Sequence, residues 1–273
     1  MQNLSIITIT YNDPSGLART IQSLLPLTRM KFSWEHVVVD QSPAQNKTIL
    51  SSLPQAWPLK HVTSDPLGIY GAHNRGIESA QGSIFWFLNG GDAMLSSKSL
   101  EDAVESLLAE PEKSALIAPV QVSRDGKPLY SRAPYPSLWE NIVGENRICH
   151  QAMLIRQGVF QSLGNYDRSL KVAADYDHLY RFHKANLNII WFSKPFADFD
   201  MSGTSSNIDR AFSEFRMVQL KHAPDLPVRM RLANTLRFHL AYGKTRFLKA
   251  LGGSRFRALL LPFWLAWNRR KPN

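Results

Sequence analysis

Residues 65–92 read DPLGIYGAHNRGIESAQGSIFWFLNGGD. Pro66 and Gly68 open a turn, a helical pattern follows, and the apolar run 84–88 stops on Asn89-Gly90-Gly91-Asp92. A carboxylate just past the carboxyl end of a buried strand stands where an open α/β sheet gathers its ligand. Asp92 is a hard oxygen donor with two glycines beside it, which suits a divalent cation that itself holds phosphate oxygens. The segment therefore points to a nucleotide-activated substrate.

The same grammar extends outward. Short apolar runs at 4–9, 36–39 and 59–62 join 84–88 as strand candidates, each followed by turn residues. Short, apolar and β-branched, they fit a parallel sheet covered on both faces. Asp13-Pro14 is a helix cap followed by a first-turn proline, leading into Leu17, Ile21, Leu24 and Leu25. Ser96 to Ser99 precede a stripe of Leu100, Val104, Leu107 and Leu108. This β-α-β-α alternation predicts a Rossmann-like sheet with right-handed crossovers.

The second half reads as mixed. Runs 116–122 and 127–130 flank Arg124-Asp125-Gly126, a hairpin signal. A strand is expected over 150–155, a short helix closed by Gly164, a helix over 177–184, a strand over 188–192 and a polar loop over 196–206. Phe85-Trp86-Phe87 are expected in the core, with Tyr135 and Trp139 as candidates to stack on a sugar.

Charge is unevenly placed. The net is +10, yet residues 226–273 hold eleven Lys/Arg and no acid, and the preceding 225 residues hold 21 basic against 22 acidic. In this tail Leu232, Leu236 and Leu240 recur at helical spacing among Arg229, Arg237, Lys244 and Arg246. The run ALLLPFWLAW (258–267) follows, too short to span a bilayer. Basic flanks with Trp264 and Trp267 suit a segment lying on an anionic membrane. No reader motif accompanies the charge, so nucleic acid is not expected as a partner. The single cysteine, Cys149, excludes an internal disulfide and suits a reducing compartment. No basic leader precedes the run LSIITIT (4–10), so a cytoplasmic protein, peripheral on the inner face of the cell membrane, is expected.

Four blocks, SIITITYND (5–13), VVVDQSP (37–43), GIYGAHNRGIESAQGSIFWFLNGGD (68–92) and AADYDHLYRF (173–182), resemble family 2 glycosyltransferases in order and spacing over about residues 4–200. The NGGD ending and HQAMLIR (150–156) further resemble bacterial enzymes that assemble exopolysaccharides of the colanic-acid type. The resemblance implies a GT-A fold over 1–225, with a nucleotide-sugar half (1–110) and an acceptor half (111–225), and a basic amphipathic C-terminal extension (226–273).

It also implies roles. Thr10 and Tyr11 would line the nucleobase pocket, and Asp40 would accept from the base or ribose. Gly68, Asn74 and Arg75 would pack around the nucleotide. Asp92 would hold Mg²⁺ or Mn²⁺ on the diphosphate. The family's commonest acidic triplet is reduced here to Asn89-Gly90-Gly91-Asp92, in which Asn89 offers a neutral oxygen or a hydrogen bond to a sugar hydroxyl. Asp175 aligns with the catalytic base, and Asp177 is the alternative. His150 and Gln151 would line the acceptor side, and Ser202 to Ser205 would border the diphosphate or acceptor.

The Gln-x-x-Arg-Trp motif of processive synthases is absent, so single, non-processive addition is expected, and the resemblance implies a metal-dependent, inverting hexosyltransferase. Its donor would be a UDP- or GDP-sugar and its acceptor a lipid-linked saccharide. The reduced acidic motif keeps a second reading open, a catalytically inactive nucleotide-sugar-binding or scaffolding protein. A nucleotidyltransferase would need a Gly-rich triphosphate loop with a Lys after the first strand, and none is present.

Overall fold

Four of the expected strands form where the apolar runs lie. They are β1 (Leu4–Thr10), β2 (Trp34–Asp40), β3 (Leu59–Thr63) and β4 (Ile84–Phe87). β1, β2 and β4 are buried along their whole length, as β-branched and aromatic runs require in a sheet covered on both faces. With β6 (Ala115–Ile117), β9 (Met153–Arg156) and β10 (Ile189–Trp191) they make a seven-stranded sheet ordered β10-β6-β9-β4-β1-β2-β3. Every pairing in it is parallel except those of β9, which runs against β4 and β6. The computed structural model describes residues 3–134, 137, 142, 148–202 and 208–225, with scattered helical positions between 228 and 243.

The crossovers are helices with their own start signals. α1 (Pro14–Leu24) is capped by Asp13, whose carboxylate accepts from Gly16 N at 2.8 Å. α2 (Pro43–Ser51) starts on a proline, and α3 (Gly68–Ser79) follows β3. α4 (Ser97–Ala109) is capped by Ser96, which accepts from Ser99 N. Each side-chain cap is worth about 1 kcal/mol. α5 (Gln157–Leu163), α6 (Ala174–Lys184) and α7 (Ile208–His222) follow in the second half. Phe85, Trp86 and Phe87 are fully buried. The Trp86 indole N–H donates to Gln151 O at 2.7 Å, which satisfies the one polar group of that core triplet.

A second sheet, ordered β5-β11-β7-β8, caps the first. It holds β5 (Ala93–Met94), β7 (Val120–Arg124), β8 (Lys127–Arg132) and β11 (Ala197–Asp200). The single run expected over 116–122 is thus two strands in two sheets. Pro119 lies between them and cannot donate to a ladder. The hairpin at Asp125-Gly126 forms as expected, with φ of 50° and 73° at its two central residues, the positive values that a two-residue type I′ turn needs.

The polar loop expected over 196–206 begins instead as β11, the inner strand between β5 and β7. Asp198 and Asp200 hid that strand in the sequence. Both carboxylates are engaged by Arg19, and Asp198 also accepts from Ser123 at 2.6 Å, so acidic residues sit in a buried strand at low cost. The strand expected over 150–155 opens with one 3₁₀ turn, His150–Ala152, before β9. Tyr135, Trp139, Gly203, Thr204, Ser205 and the run 258–267 lie outside the described residues.

The chain divides into two compact units, Met1–His222 and Ala223–Asn273. In the second, Val228, Leu232, Leu236 and Leu240 are each at least 60% exposed. No helix among the described residues is long and apolar enough to cross a membrane.

Candidate active site

The turn after β4 is built by α1. Thr20 Oγ1 accepts from Gly91 N at 3.0 Å and donates to Asp92 O at 2.7 Å. Arg19 donates to Gly91 O at 2.6 Å while gripping Asp198 and Asp200 of β11. Gly91 adopts a φ of +99°, which a side chain would strain. Gly90 N donates to Ile9 O, so the turn packs against the end of β1. There Thr10 is buried with its hydroxyl unpartnered, and the Tyr11 ring is 54% exposed.

Asp92 is only 4% exposed. Its Oδ1 accepts from Asp200 N at 2.9 Å and its Oδ2 from Gln151 Nε2 at 2.9 Å. Burial nevertheless raises its pKa to about 6, against the pull of those two hydrogen bonds. A buried carboxylate this poorly compensated is the kind of group that a cation relieves. Two of its roughly four lone-pair sites are taken.

Asp175 lies in the first turn of α6. Oδ1 accepts from the Tyr70 hydroxyl at 2.9 Å and from Tyr176 N at 2.8 Å. Oδ2 meets His150 Nδ1 at 3.3 Å. Burial alone would push its pKa up, but His150, Tyr70 and the Tyr176 amide outweigh it and hold the group below the usual carboxylate range. Its side chain keeps 20% exposure, so this carboxylate is ionised, oriented and reachable.

One dipeptide serves both carboxylates. His150 contacts Asp175 and its neighbour Gln151 donates to Asp92. Cys149, the residue before them, feels the charge of both acids, and burial with those charges keeps its thiol protonated. His150 Nε2 in turn lies 3.2 Å from Asn89 Nδ2, and His73 Nε2 lies 2.8 Å from Asn89 Oδ1.

Several expected roles change on this geometry. Asp177 is not placed as a base: Arg181, Lys221 and His222 surround its carboxylate at 2.9–3.0 Å, and it is 1% exposed. Burial opposes its ionisation, but these partners hold its pKa far down, and it ties α6 to α7. Asn74 spends its amide on the backbone N and O of Tyr166 and so belongs to the scaffold. Arg75 is surface-exposed and pairs with Glu78 at 3.5 Å.

Asp40 is fully buried and accepts from Ser42 N, Asn46 and His61. His61, about one-third exposed, lies 3.1 Å from its Oδ2. The Asn89 oxygen already faces His73 Nε2 at 2.8 Å, which takes one of its two lone pairs. Gly68 opens α3 with a φ of +72° and open space around it. Ser202 is exposed and donates its hydroxyl to Asp200 Oδ1 at 2.6 Å.

Tyr70 and His73 were not legible as site residues, although a signal existed. With Asn74 and Ile77 they form the buried stripe of α3, where a plain core helix would carry aliphatic residues. Arg19 and Thr20 left no signal, because their partners are 71 to 181 residues away.

Residues 5–205 match the model of Glycosyl transferase family 2. An uncharacterized glycosyltransferase of Mycobacterium tuberculosis is 30% identical over 181 residues, 65% of this chain and 68% of that protein. A PGL/p-HBAD biosynthesis glycosyltransferase of Mycobacterium bovis is 28% identical over 207 residues, covering 75% and 73%.

Among solved structures, S. aureus TarS 1-349 in complex with UDP-GlcNAc superposes with a TM-score of 0.68 at 18% identity, over 88% of this chain and 73% of that one. Mannosyltransferase PcManGT from Pyrobaculum calidifontis, in complex with GDP-Man and Mn²⁺, gives 0.62 at 16% identity, over 99% and 81%. The structural likeness confirms the GT-A architecture. With the family model spanning both carboxylates and the turn between the sheets, the chain belongs to glycosyl transferase family 2.

Proposed function

We propose that this glycosyltransferase moves one sugar from a nucleotide-diphosphate donor to a saccharide acceptor with inversion, Asp175 acting as the base. The observation that carries this reading is the joint support of Asp175 and Asp92 by the adjacent residues His150 and Gln151. Base and leaving-group site are thereby held in one frame. Asp175 Oδ2 has one partner where Oδ1 has two, so it is the oxygen left to take a proton. It accepts the acceptor's hydroxyl proton while that oxygen bonds to the anomeric carbon. The bond from that carbon to the diphosphate breaks, and its electron pair leaves with the nucleoside diphosphate. Attack from the face opposite the leaving group inverts the centre.

Thr10 and Tyr11 are assigned to the base, the buried unpartnered hydroxyl and the exposed ring being suited to hydrogen bonding and stacking. Gly68 leaves room for the nucleotide at the start of α3. The UDP-GlcNAc and GDP-Man of the two structural neighbours support a nucleotide-sugar donor and leave UDP and GDP both open.

Asp92 would hold Mg²⁺ or Mn²⁺ by its unused lone pairs, the remaining ligands being phosphate oxygens and water, since no group of three or more acidic, His or Cys side chains gathers among the described residues. Such an ion neutralises charge developing on the leaving diphosphate. A lipid-linked acceptor, as in surface-polysaccharide assembly, is supported by the acid-free basic tail with its exposed Leu232, Leu236 and Leu240, which fit an anionic membrane surface.

The test is a melting-temperature panel with UDP, GDP and their sugars, with and without Mn²⁺, followed by turnover of Asp175→Asn. Ligand at about a hundred times its dissociation constant adds about 2.7 kcal/mol. One nucleotide class should raise the melting temperature. Asp175→Asn should keep that rise and lose about a thousandfold or more in kcat. No rise with any nucleotide, or full turnover by Asp175→Asn, refutes the reading.

A further inference from the structure

Asn89 ends the apolar run of β4, and the hydrogen bonds around it give its amide a purpose. Its amide lies between two imidazoles, with Oδ1 2.8 Å from His73 Nε2 and Nδ2 3.2 Å from His150 Nε2. An amide offers one acceptor and one donor group on the same plane. His73 must then carry its proton on Nε2, and His150 must present a bare Nε2 to the amide N–H. The His150 proton is thereby left on Nδ1, the nitrogen that faces Asp175 at 3.3 Å.

Turning the amide over would set a bare His150 Nδ1 against a carboxylate and put a proton on His73 Nδ1. That nitrogen is buried without a partner, and an unpaired buried donor is costly. This orientation gives every contact one proton and leaves the His73 ring neutral. Burial favours that state for His73, whose pKa falls to about 3.

We propose that Asn89 is a positioning residue that selects the Nδ1–H tautomer of His150 and so aims a neutral donor at the base Asp175. The catalytic part of this inference rests on the glycosyl-transfer reading above; the tautomer does not. A carboxylate at position 89 could only accept, so both imidazoles would have to donate to it. His150 would then need protons on both nitrogens, and its charge beside Asp175 would make that base weaker. Other groups facing the pair are Tyr70 and Tyr166, whose ionisation burial suppresses first and Asp175 next, and Asp92 with Cys149.

The test reads the tautomer directly, by nitrogen-15 shifts of histidine-labelled full-length protein near neutral pH, with His150→Gln assigning the resonance. The wild type should show a protonated Nδ1 and a bare Nε2 on His150. Asn89→Asp should protonate both nitrogens, and Asn89→Ala should release a mixture of tautomers. In turnover, Asn89→Ala should lose about a hundredfold in kcat with donor KM nearly unchanged, the scale of a displaced general base.

A doubly protonated or Nε2–H His150 in the wild type overturns the proposal, as does a tautomer that Asn89→Ala leaves unmoved. A rise in donor KM without loss of kcat makes Asn89 a donor contact instead and also overturns it. A wild type with the expected tautomer but no turnover of any nucleotide sugar refutes the glycosyl-transfer reading and the catalytic role together, while the tautomer assignment stands.

Discussion

Acidification from pH 7.5 to 5.5 should cost this fold about 3 kcal/mol, most of it through three histidines. His36, His73 and His178 are 0–2% exposed. Burial lowers each to about 3 from an ordinary 6.5, with neighbouring His150 adding to it at His73 and Arg181 at His178. In the unfolded chain they protonate near 6.5, and in the native state they stay neutral. Their stabilisation is therefore full above 6.5 and is lost as pH falls through that value toward 3.

At pH 5.5 each loses about 1.4 kcal/mol, or about 4 together. Asp92 has the opposite sign. Its native pKa of about 6 lies above the unfolded value, so protonation in the fold returns about 0.8 kcal/mol over the same interval. Asp177 and Asp200, held below the carboxylate range, contribute only to losses under pH 4. Urea unfolding at the two pH values measures the difference.

His178→Phe isolates the contribution of one histidine. The ring is stacked on Phe160 at 4.8 Å and packs against Tyr166 and Phe182, so phenylalanine fits its place, and Gly164 O keeps its bond from Arg181. The pH-dependent loss should shrink by about 1.4 kcal/mol, nearly half, in that variant. A wild-type loss under about 1 kcal/mol, or a slope unchanged in His178→Phe, refutes the reasoning.

Other substitutions separate scaffold from chemistry. Asp177→Asn should destabilise the fold by about 3 kcal/mol, because it removes the buried counter-charge of Arg181 and Lys221 and the partner of His222, yet leave kcat of the folded enzyme near wild type. A kcat loss like that of Asp175→Asn would make Asp177 the base. Thr20→Val should cost about 1–3 kcal/mol in urea unfolding by orphaning Gly91 N and Asp92 O, and should raise donor KM. A change under 0.5 kcal/mol would mean that the turn holds itself. Leu232→Glu with Leu236→Glu should abolish cosedimentation with vesicles containing anionic lipid, and retained binding would remove the tail from the membrane argument.

The sequence by itself determined the four strands of the first half, the caps and the family. Buried parallel strands must be apolar along their length, and Asp13, Ser96 and the Asp125-Gly126 turn act on neighbours within three residues. Local chemistry of that kind is written locally. It also placed Asp92 and Asp175 correctly at strand and helix ends, because such positions are defined by the element that precedes or bears them.

Tertiary structure alone decided what each polar group does. Two aspartates two residues apart, Asp175 and Asp177, were indistinguishable on paper. Helix rotation turns one toward Tyr70 and His150 and the other into Arg181, Lys221 and His222. β11 escaped notice because its acids are neutralised by Arg19 from a helix some 180 residues away. Asn89 read as the remnant of a motif until His73 and His150, 16 and 61 residues distant, closed on either side of it. Hydrogen bonds and ion pairs act within about 4 Å. Chain distance carries no trace of which groups folding will bring that close.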